Sequence, residues 1–432
     1  MVQIFVEQVS ERLIYTLDFV FKERGLEYVL TNDYHSFIDS PYNKLNYSER
    51  YFDAIVQLLP SSILFDEEII VYGIHSGTFA GEDCLSFNKV LDPLAAIFYV
   101  ISRMEEYTSS IEDEHGRFPA RNSVLYRFGW LEKVICDRWA EAFLKFLTEN
   151  SLIEYKKPKF NVAFFPTFDI DNTYAYKDKS GVRALLSTAR DVLKGDRLRL
   201  NEREQVRKGA ARDPYDTYEY IGSLAERGFN VKMFWLLGDY SKFDRNISHK
   251  DPRHQRLIRN MDRVAHVGIH PSYKSNSYEY YLNAEKERLE EILNRPVDHS
   301  RQHFLKLKLP VTYQHLEDAE IRHDYTMGYA EHVGFRSGTA RPHKWFDLQR
   351  NRVTQLTIHP FVYMDGTLNE YLALDVLSSK LMIEKLYKEV KQYGGDFVFI
   401  WHNETIGNYG KWVGWKDLLE FTLDLSNHKK HE

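Results

Sequence analysis

Residues 161–171 read NVAFFPTFDID. The apolar run 161–167 predicts a buried strand, and it closes in Thr167-Phe168-Asp169-Ile170-Asp171, two carboxylates two residues apart. Downstream the rhythm of strand, loop and helix repeats. Residues 215–227 read as a helix ended by Gly228, 230–237 (NVKMFWLL) as an apolar strand and 264–269 as another strand. Residues 277–293 read as a helix, supported by Lys286 and Glu290 at i, i+4 and stopped at Asn294-Arg295-Pro296. A short helix is expected over 310–319, a long one over 368–393 ended by Gly394-Gly395, and a last buried strand over 396–401 (DFVFIW). Such alternation predicts parallel strands with outer helices, as a barrel or an open sheet.

Upstream of residue 161 the pattern is more mixed. Residues 12–23 predict an amphipathic helix closed by Gly25, 61–64 and 69–74 short strands, 93–107 a helix with Pro93 in its first turn, and 139–147 a further helix. Gly73-Ile74-His75-Ser76-Gly77-Thr78 lacks the spacing of a phosphate loop and reads as a turn. The charged stretch 149–159 (ENSLIEYKKPK) reads as a linker. The expectation is a smaller α/β domain over 1–155 and a larger domain over 156–432.

Bulk properties narrow the class. With 432 residues, 43% hydrophobic, 28% charged and a net charge of −6, the chain is no disordered polymer, and its mild acidity argues against general nucleic-acid binding. Two cysteines, Cys84 and Cys136, make neither a disulfide framework nor a zinc cluster and read as buried thiols. No run approaches membrane-spanning length, and the first residues lack a basic, then apolar, secretory pattern, so a cytoplasmic location is expected. Aromatic residues make up 15% of the chain and serve mainly as core, with sugar stacking the alternative.

In parallel α/β folds the reacting groups sit at the carboxyl ends of strands. Those ends deliver Asp169 and Asp171, then His270, then Arg301 and His303, then His402. The set suits hydrolysis: one carboxylate and neutral imidazoles hold a divalent metal, a second carboxylate takes a proton, and a distant histidine gives one. Arg301 can keep a base ionised through a charge-assisted hydrogen bond. Each residue also has a plainer role: a turn cap for the Asp-x-Asp, a structural strand-end histidine, an ion-pair partner for Arg301, packing for His402 beside Trp401.

The order of these motifs resembles the NodB-homology polysaccharide deacetylases, carbohydrate esterase family 4, over roughly residues 160–432. Thr167-Phe168-Asp169 with Asp171 resembles that family's T-F-D-D motif, with Ile170 intervening. His270-Pro271-Ser272-Tyr273-Lys274 resembles H-S/T-x-x-H, with Lys274 at the second histidine. Arg301-Gln302-His303-Phe304 resembles R-x-P-[YF], with His303 in place of proline, and Ile400-Trp401-His402 resembles the terminal Leu-His. The resemblance implies a distorted (β/α) barrel in which Asp169 is the general base, His402 the general acid, Arg301 the residue orienting Asp169, and Asp171 and His270 metal ligands. Lysine at neutral pH offers no lone pair, so His303 is the candidate third ligand and zinc the expected metal. A backbone N–H near Phe304 would hold the oxyanion. The implied reaction removes an N- or O-linked acetyl group from a saccharide.

The whole chain also resembles a bacterial group, frequent in Bacteroidetes, that fuses an uncharacterised α/β domain to this one. Ile101-Ser102-Arg103-Met104-Glu105-Glu106-Tyr107 and Gly334-Phe335-Arg336-Ser337-Gly338-Thr339 carry that likeness, which implies a context of surface-polysaccharide biosynthesis. The rival reading is a catalytically degenerate domain that binds carbohydrate or serves as a scaffold, with Lys274 its support; deformylation or another C–N hydrolysis is a third. Arg341, Trp345 and Asn403 join Phe304 as candidate substrate contacts, and Trp345, Phe346, Trp412 and Trp415 could each stack on a sugar or fill core. The basic stretch 177–213, with Arg197 and Arg199, reads as a solvated helix pair or as a clamp for an anionic saccharide. Oligomeric state is not legible.

Overall fold

The chain's two small sheets come first. In the computed structural model, which describes residues 1–177, 193 and 197–426, β1 (Val2–Phe5), β2 (Tyr28–Thr31), β3 (Asn43–Asn46) and β4 (Val56–Gln57) form a parallel sheet in the order β2-β1-β3-β4. Then β5 (Ile74–Phe79), β6 (Glu82–Phe87) and β7 (Val90–Leu91) form an antiparallel one. Between and around them pack helices Glu11–Phe21, Pro93–Ile101 and Ile135–Glu149. The Pro93–Ile101 helix is buried throughout and starts at Asp92, which accepts from the Leu94 and Ala95 N–H groups and also from the Tyr47 hydroxyl.

Four local expectations are corrected here. Residues 61–64 form a 3-10 turn over Ser62–Leu64, and 69–74 yields a strand only from Ile74. The cause is Arg12, fully buried, whose guanidinium takes the carbonyls of Ile63, Glu67 and Glu68 and so satisfies backbone that a strand ladder would otherwise use. The helix expected over 93–107 breaks at Arg103, which holds left-handed backbone (φ 58°), and the helix expected over 368–393 breaks at Ala373 (φ 49°) before resuming as Val376–Tyr393.

The quoted stretch becomes β8 (Ala163–Ile170), at the heart of a nine-stranded sheet. Its other members are β9 (Lys232–Trp235), β10 (His266–Ile269), β11 (His299–Ser300), β12 (His323–Asp324), β13 (His343–Asp347), β14 (Arg352–Ile358), β15 (Tyr363–Met364) and β16 (Asp396–His402). The order is β13-β14-β12-β11-β10-β9-β8-β16-β15, and every pair is parallel except β13 with β14. Among the described residues β13 and β15 do not pair, so the ladder does not close into a barrel. The β13–β14 edge is instead covered by the amino-terminal region: Tyr15 donates to the Lys344 carbonyl, Arg12 to Asn351, and Phe346 and Leu348 join that region's hydrophobic cluster.

Strand alternation sorts the side chains. Phe168, Ile170, Met233, Trp235, Val267, Ile269, Phe397, Phe399 and Trp401 face the outer helices and the main core. Phe165, Phe234, Tyr325, Val398 and Ile400 face inward and form a separate small core. Asp169, Asp171, His270, Arg301 and His402 share the parity of that inner face, just beyond or at the strand ends.

The amino-terminal region and the large sheet meet through buried charge. Glu106 accepts from Arg103 Nε (2.8 Å) and Arg336 Nη2 (2.6 Å), and all three side chains are almost wholly buried. The two segments that carry the whole-chain resemblance therefore face one another. Arg138 makes a bidentate pair with Glu389 (2.6 and 2.8 Å).

Candidate active site

Parallel pairing sets His402 directly opposite Asp169 in the β16–β8 register, and Ile269 opposite Ser300 in β10–β11. Adjacent strand ends thus bring their polar groups to one place. Asp169, 3% exposed, accepts from Arg301 Nη1 at 2.9 Å. Arg301 is fully buried over the Phe234 ring, and it also donates to Thr167 Oγ1 and the Tyr325 carbonyl. Its Nε and Nη1 are thus engaged, while Nη2 is buried without a partner.

Three further side chains converge beside that pair. His270 Nδ1 lies 2.6 Å from the Arg301 carbonyl, an acceptor, so Nδ1 carries a hydrogen, and Nε2 faces Asp171 Oδ1 at 3.1 Å. His303 Nδ1 lies 3.0 Å from Asp244 Oδ1, and its Nε2 faces Asp171 Oδ2 at 3.5 Å. Asp171, His270 and His303 place one ligand atom each within 4.8 Å of one another. Ligands about 2.1 Å from a tetrahedral zinc stand roughly 3.4 Å apart, close to these separations. Asp171 Oδ1 is buried without a hydrogen-bond partner, a cost that a cation would remove. The oxygen–nitrogen–nitrogen donor set and the carbonyl and carboxylate behind the two imidazoles suit zinc.

Lys274 is exposed, with Nζ 5.9 Å from the Tyr281 ring centre, and it does not enter the cluster. His402 completes the site. Asp365 Oδ1 accepts from its Nδ1 (2.9 Å), Asp365 Oδ2 from its backbone N–H (2.8 Å), and its Nε2 stands 3.8 Å from Asp171 Oδ2.

The electrostatics follow from burial and mutual charge. Burial alone would raise the Asp171 carboxyl, but the facing His303, His270 and His402 hold it well below the usual range. Burial opposes charge on His303, yet Asp171 and Asp244 raise it to about 9. Burial likewise opposes charge on His402, and Asp365, then Asp171 and Asp169, raise it well above an ordinary histidine.

These groups line a cleft of about 170 Å³. Phe304, Trp412 and Arg117 form part of its wall, with Glu370 and Glu404. Phe304 and Leu305 hold left-handed backbone (φ 61° and 51°), a conformation costing about 1 kcal/mol or more per residue. Arg117, from the amino-terminal region, fixes it by donating from Nη1 to the Phe304 carbonyl (2.8 Å) while Nε pairs with Asp113 (2.7 Å). His115, Tyr273 and Phe243 pack around the Phe304 ring.

The other expected contacts lie elsewhere. Arg341 is buried, with Nε on Asp137 (2.7 Å) and Nη2 on the Tyr393 carbonyl, so it ties the two regions together instead of reaching the cleft. Trp345 is core against Tyr313 and donates to the Tyr107 hydroxyl, and Phe346 packs on Phe98. Asn403, fully buried, donates to the Asn172 and Tyr215 carbonyls and holds loops together. Trp415 packs edge-on against Trp412. The expected clamp lies partly outside the described residues, at 178–192 and 194–196; beyond these, Arg197–Arg207 is helical.

Two functional residues escaped the sequence reading. Asp365 follows the apolar run 361–364 (FVYM), which is too short to register as a strand, so the strand-end rule that found Asp169 did not reach it. Asp244 lies in the loop after β9, in the polar stretch SKFDR, which carries no comparable signal.

Comparison with known proteins adds the following. Residues 2–152 match the model of a family of unknown function (DUF7033). No curated protein matches the chain. Solved structures similar to it include a protein from Mycobacterium smegmatis assigned as a polysaccharide deacetylase (TM-score 0.39, 13% identity, 63% of this chain and 86% of that one). A polysaccharide deacetylase from Bacillus cereus (TM-score 0.30, 11% identity, 62% and 88%) and Puue allantoinase (TM-score 0.38, 10% identity, 65% and 99%) are also similar. These scores are low, and the fold described above rests on the chain's own strand pairing. Among the described residues no helix is long and apolar enough to cross a membrane.

Proposed function

We propose that the chain is a metal-dependent hydrolase that removes an N- or O-linked acetyl group from a saccharide, in surface-polysaccharide biosynthesis. Residues 156–432 form its catalytic domain, of the distorted NodB-type barrel left open between β13 and β15, and residues 1–155 form a second domain. The observation that carries this reading is the convergence of Asp171, His270 and His303 next to the Asp169–Arg301 pair, with His402 across the same cleft.

Asp171, His270 and His303 would hold zinc. Bound there, zinc supplies Lewis-acid polarisation of the acyl carbonyl and a lower pKa for water. Asp169, oriented by its 2.9 Å pair with Arg301, takes a proton from the attacking water as the water oxygen bonds to the carbonyl carbon. The backbone N–H of Phe304 is assigned to the oxyanion. His402, held protonated by Asp365, gives its Nε2 proton to the departing nitrogen or oxygen as the C–N or C–O bond breaks, leaving acetate and the free sugar. Glu370 and Glu404 in the wall favour an uncharged sugar over an anionic one near the reacting group. Trp412, with Phe304 and Tyr371 in the same wall, would supply the aromatic faces for stacking on it.

Acetate release from acetylated oligosaccharides, measured with zinc and after chelation, tests the proposal. Asp169→Asn should lower kcat by about 100-fold or more while zinc binding is kept. Full activity in that variant, or after chelation, would overturn it.

A further inference from the structure

The amino-terminal ends of the same strands carry a second cluster. His266 opens β10, His299 opens β11 and His323 opens β12, while Asp298 directly precedes β11. On β10, His266 is four residues before His270, so the cluster lies about 13 Å down the strand from the catalytic groups. His266, Asp298 and His299 each place a ligand atom within 4.8 Å of the others. Asp298 Oδ1 stands 2.7 Å from His299 Nδ1 and 3.8 Å from His266 Nε2. The two imidazole rings are 3.9 Å apart between centres, and His323 stacks on His299 at 4.4 Å.

One feature marks this as more than packing: His266 Nε2 is buried and makes no hydrogen bond, although it faces a carboxylate. Gly268 lets β10 and β11 approach closely here, since a Cβ would come within 2.6 Å of the His299 carbonyl.

We propose that His266, Asp298 and His299 form a second divalent-metal site, selective for zinc-like borderline ions over calcium or magnesium, which ties the starts of β10 and β11 at the face opposite the catalytic cleft. Two nitrogens and one carboxylate oxygen are the donors such ions prefer. Asp298 is 44% exposed in its side chain and His266 34%, so an ion enters directly from solvent. At the amino-terminal face of parallel strands its role is structural.

The test uses the full chain with His270→Ala and His303→Ala, which disables the first cluster and makes the outcome independent of the proposed hydrolysis. Equilibrium dialysis against zinc, with metal quantified by mass spectrometry, should find about one ion per chain, and cobalt should give the visible absorption of a nitrogen-ligated site. Adding zinc should raise Tm. Adding His266→Gln should weaken binding at least 100-fold and abolish the Tm shift. Should His266→Gln not fold, Asp298→Asn, at a half-exposed position, gives the same reading. Absence of zinc from the parent, or undiminished binding in a folded His266→Gln or Asp298→Asn variant, overturns the proposal.

Discussion

The Asp244–His303 pair should make zinc affinity depend on pH in a way that one substitution exposes. His303 donates from Nδ1 to Asp244 Oδ1 at 3.0 Å, and Asp244 is itself held by the Tyr273 N–H and the Ser241 hydroxyl. Burial works against charge on His303, but Asp171 and Asp244 raise it to about 9. At pH 7 only about one His303 in a hundred is then neutral, and zinc must displace a proton at a cost of about 2.7 kcal/mol. The affinity of the protein should climb about 50-fold between pH 7 and pH 9, about 100-fold in all, and level off about a unit above the pKa. Asp244→Asn keeps the shape and an acceptor oxygen but loses the charge. The His303 pKa falls, so the level region begins at lower pH. A charge-assisted hydrogen bond also becomes a neutral one of about half the strength, lowering the plateau by about 1 kcal/mol, or about fivefold. The two effects oppose one another at pH 7 and only the second survives at pH 9.5. Competition against a chromophoric chelator, in a His266→Gln background that silences the second cluster, should therefore give crossing curves, with the variant equal or tighter at pH 7 and weaker at pH 9.5. A constant deficit at every pH would refute proton competition. Superimposable curves would remove Asp244 from the orientation of His303.

Asp365→Asn should lower the His402 pKa, because that carboxylate is the first influence raising it once burial is overcome; the alkaline limb of the kcat/KM profile should move to lower pH, and an unmoved limb would detach Asp365 from His402. Arg341→Ala should act on stability alone: breaking its buried pair with Asp137 should cost about 3 kcal/mol in urea unfolding with KM unchanged, and a raised KM at unchanged stability would return Arg341 to the substrate.

How much of this was legible in the sequence depended on what fixes each residue. Asp169, Asp171, His270, Arg301, His303 and His402 follow or end strands whose apolar runs and alternation are local properties, and parallel pairing brings strand ends together without further information. Asp365 obeys the same rule, but β15 has two residues and gives too short a run to register as a strand. Asp244 is placed by a turn in which Ser241 accepts from the Phe243 and Asp244 N–H groups, and its partner is 59 residues away. Arg341 lies away from the cleft for a related reason. A rim arginine and an interface arginine look alike until Asp137, 204 residues earlier, is seen to receive one of them.

That interface changes what the cleft is. Arg117 belongs to the region that matches a family of unknown function, yet it holds the carbonyl of Phe304, whose left-handed backbone shapes the cleft wall. Glu106, from the same region, receives Arg336 on the large sheet, and both are almost fully buried. Separating the regions would leave each of these charges without its partner or in water, a change typically costing 3–5 kcal/mol for a buried pair that loses one member. A wall conformation that is itself unfavourable persists only while something else over-determines it. The cleft as built is thus a joint product of both regions: the strand ends bring its ionisable groups together, while the amino-terminal region supplies part of its shape.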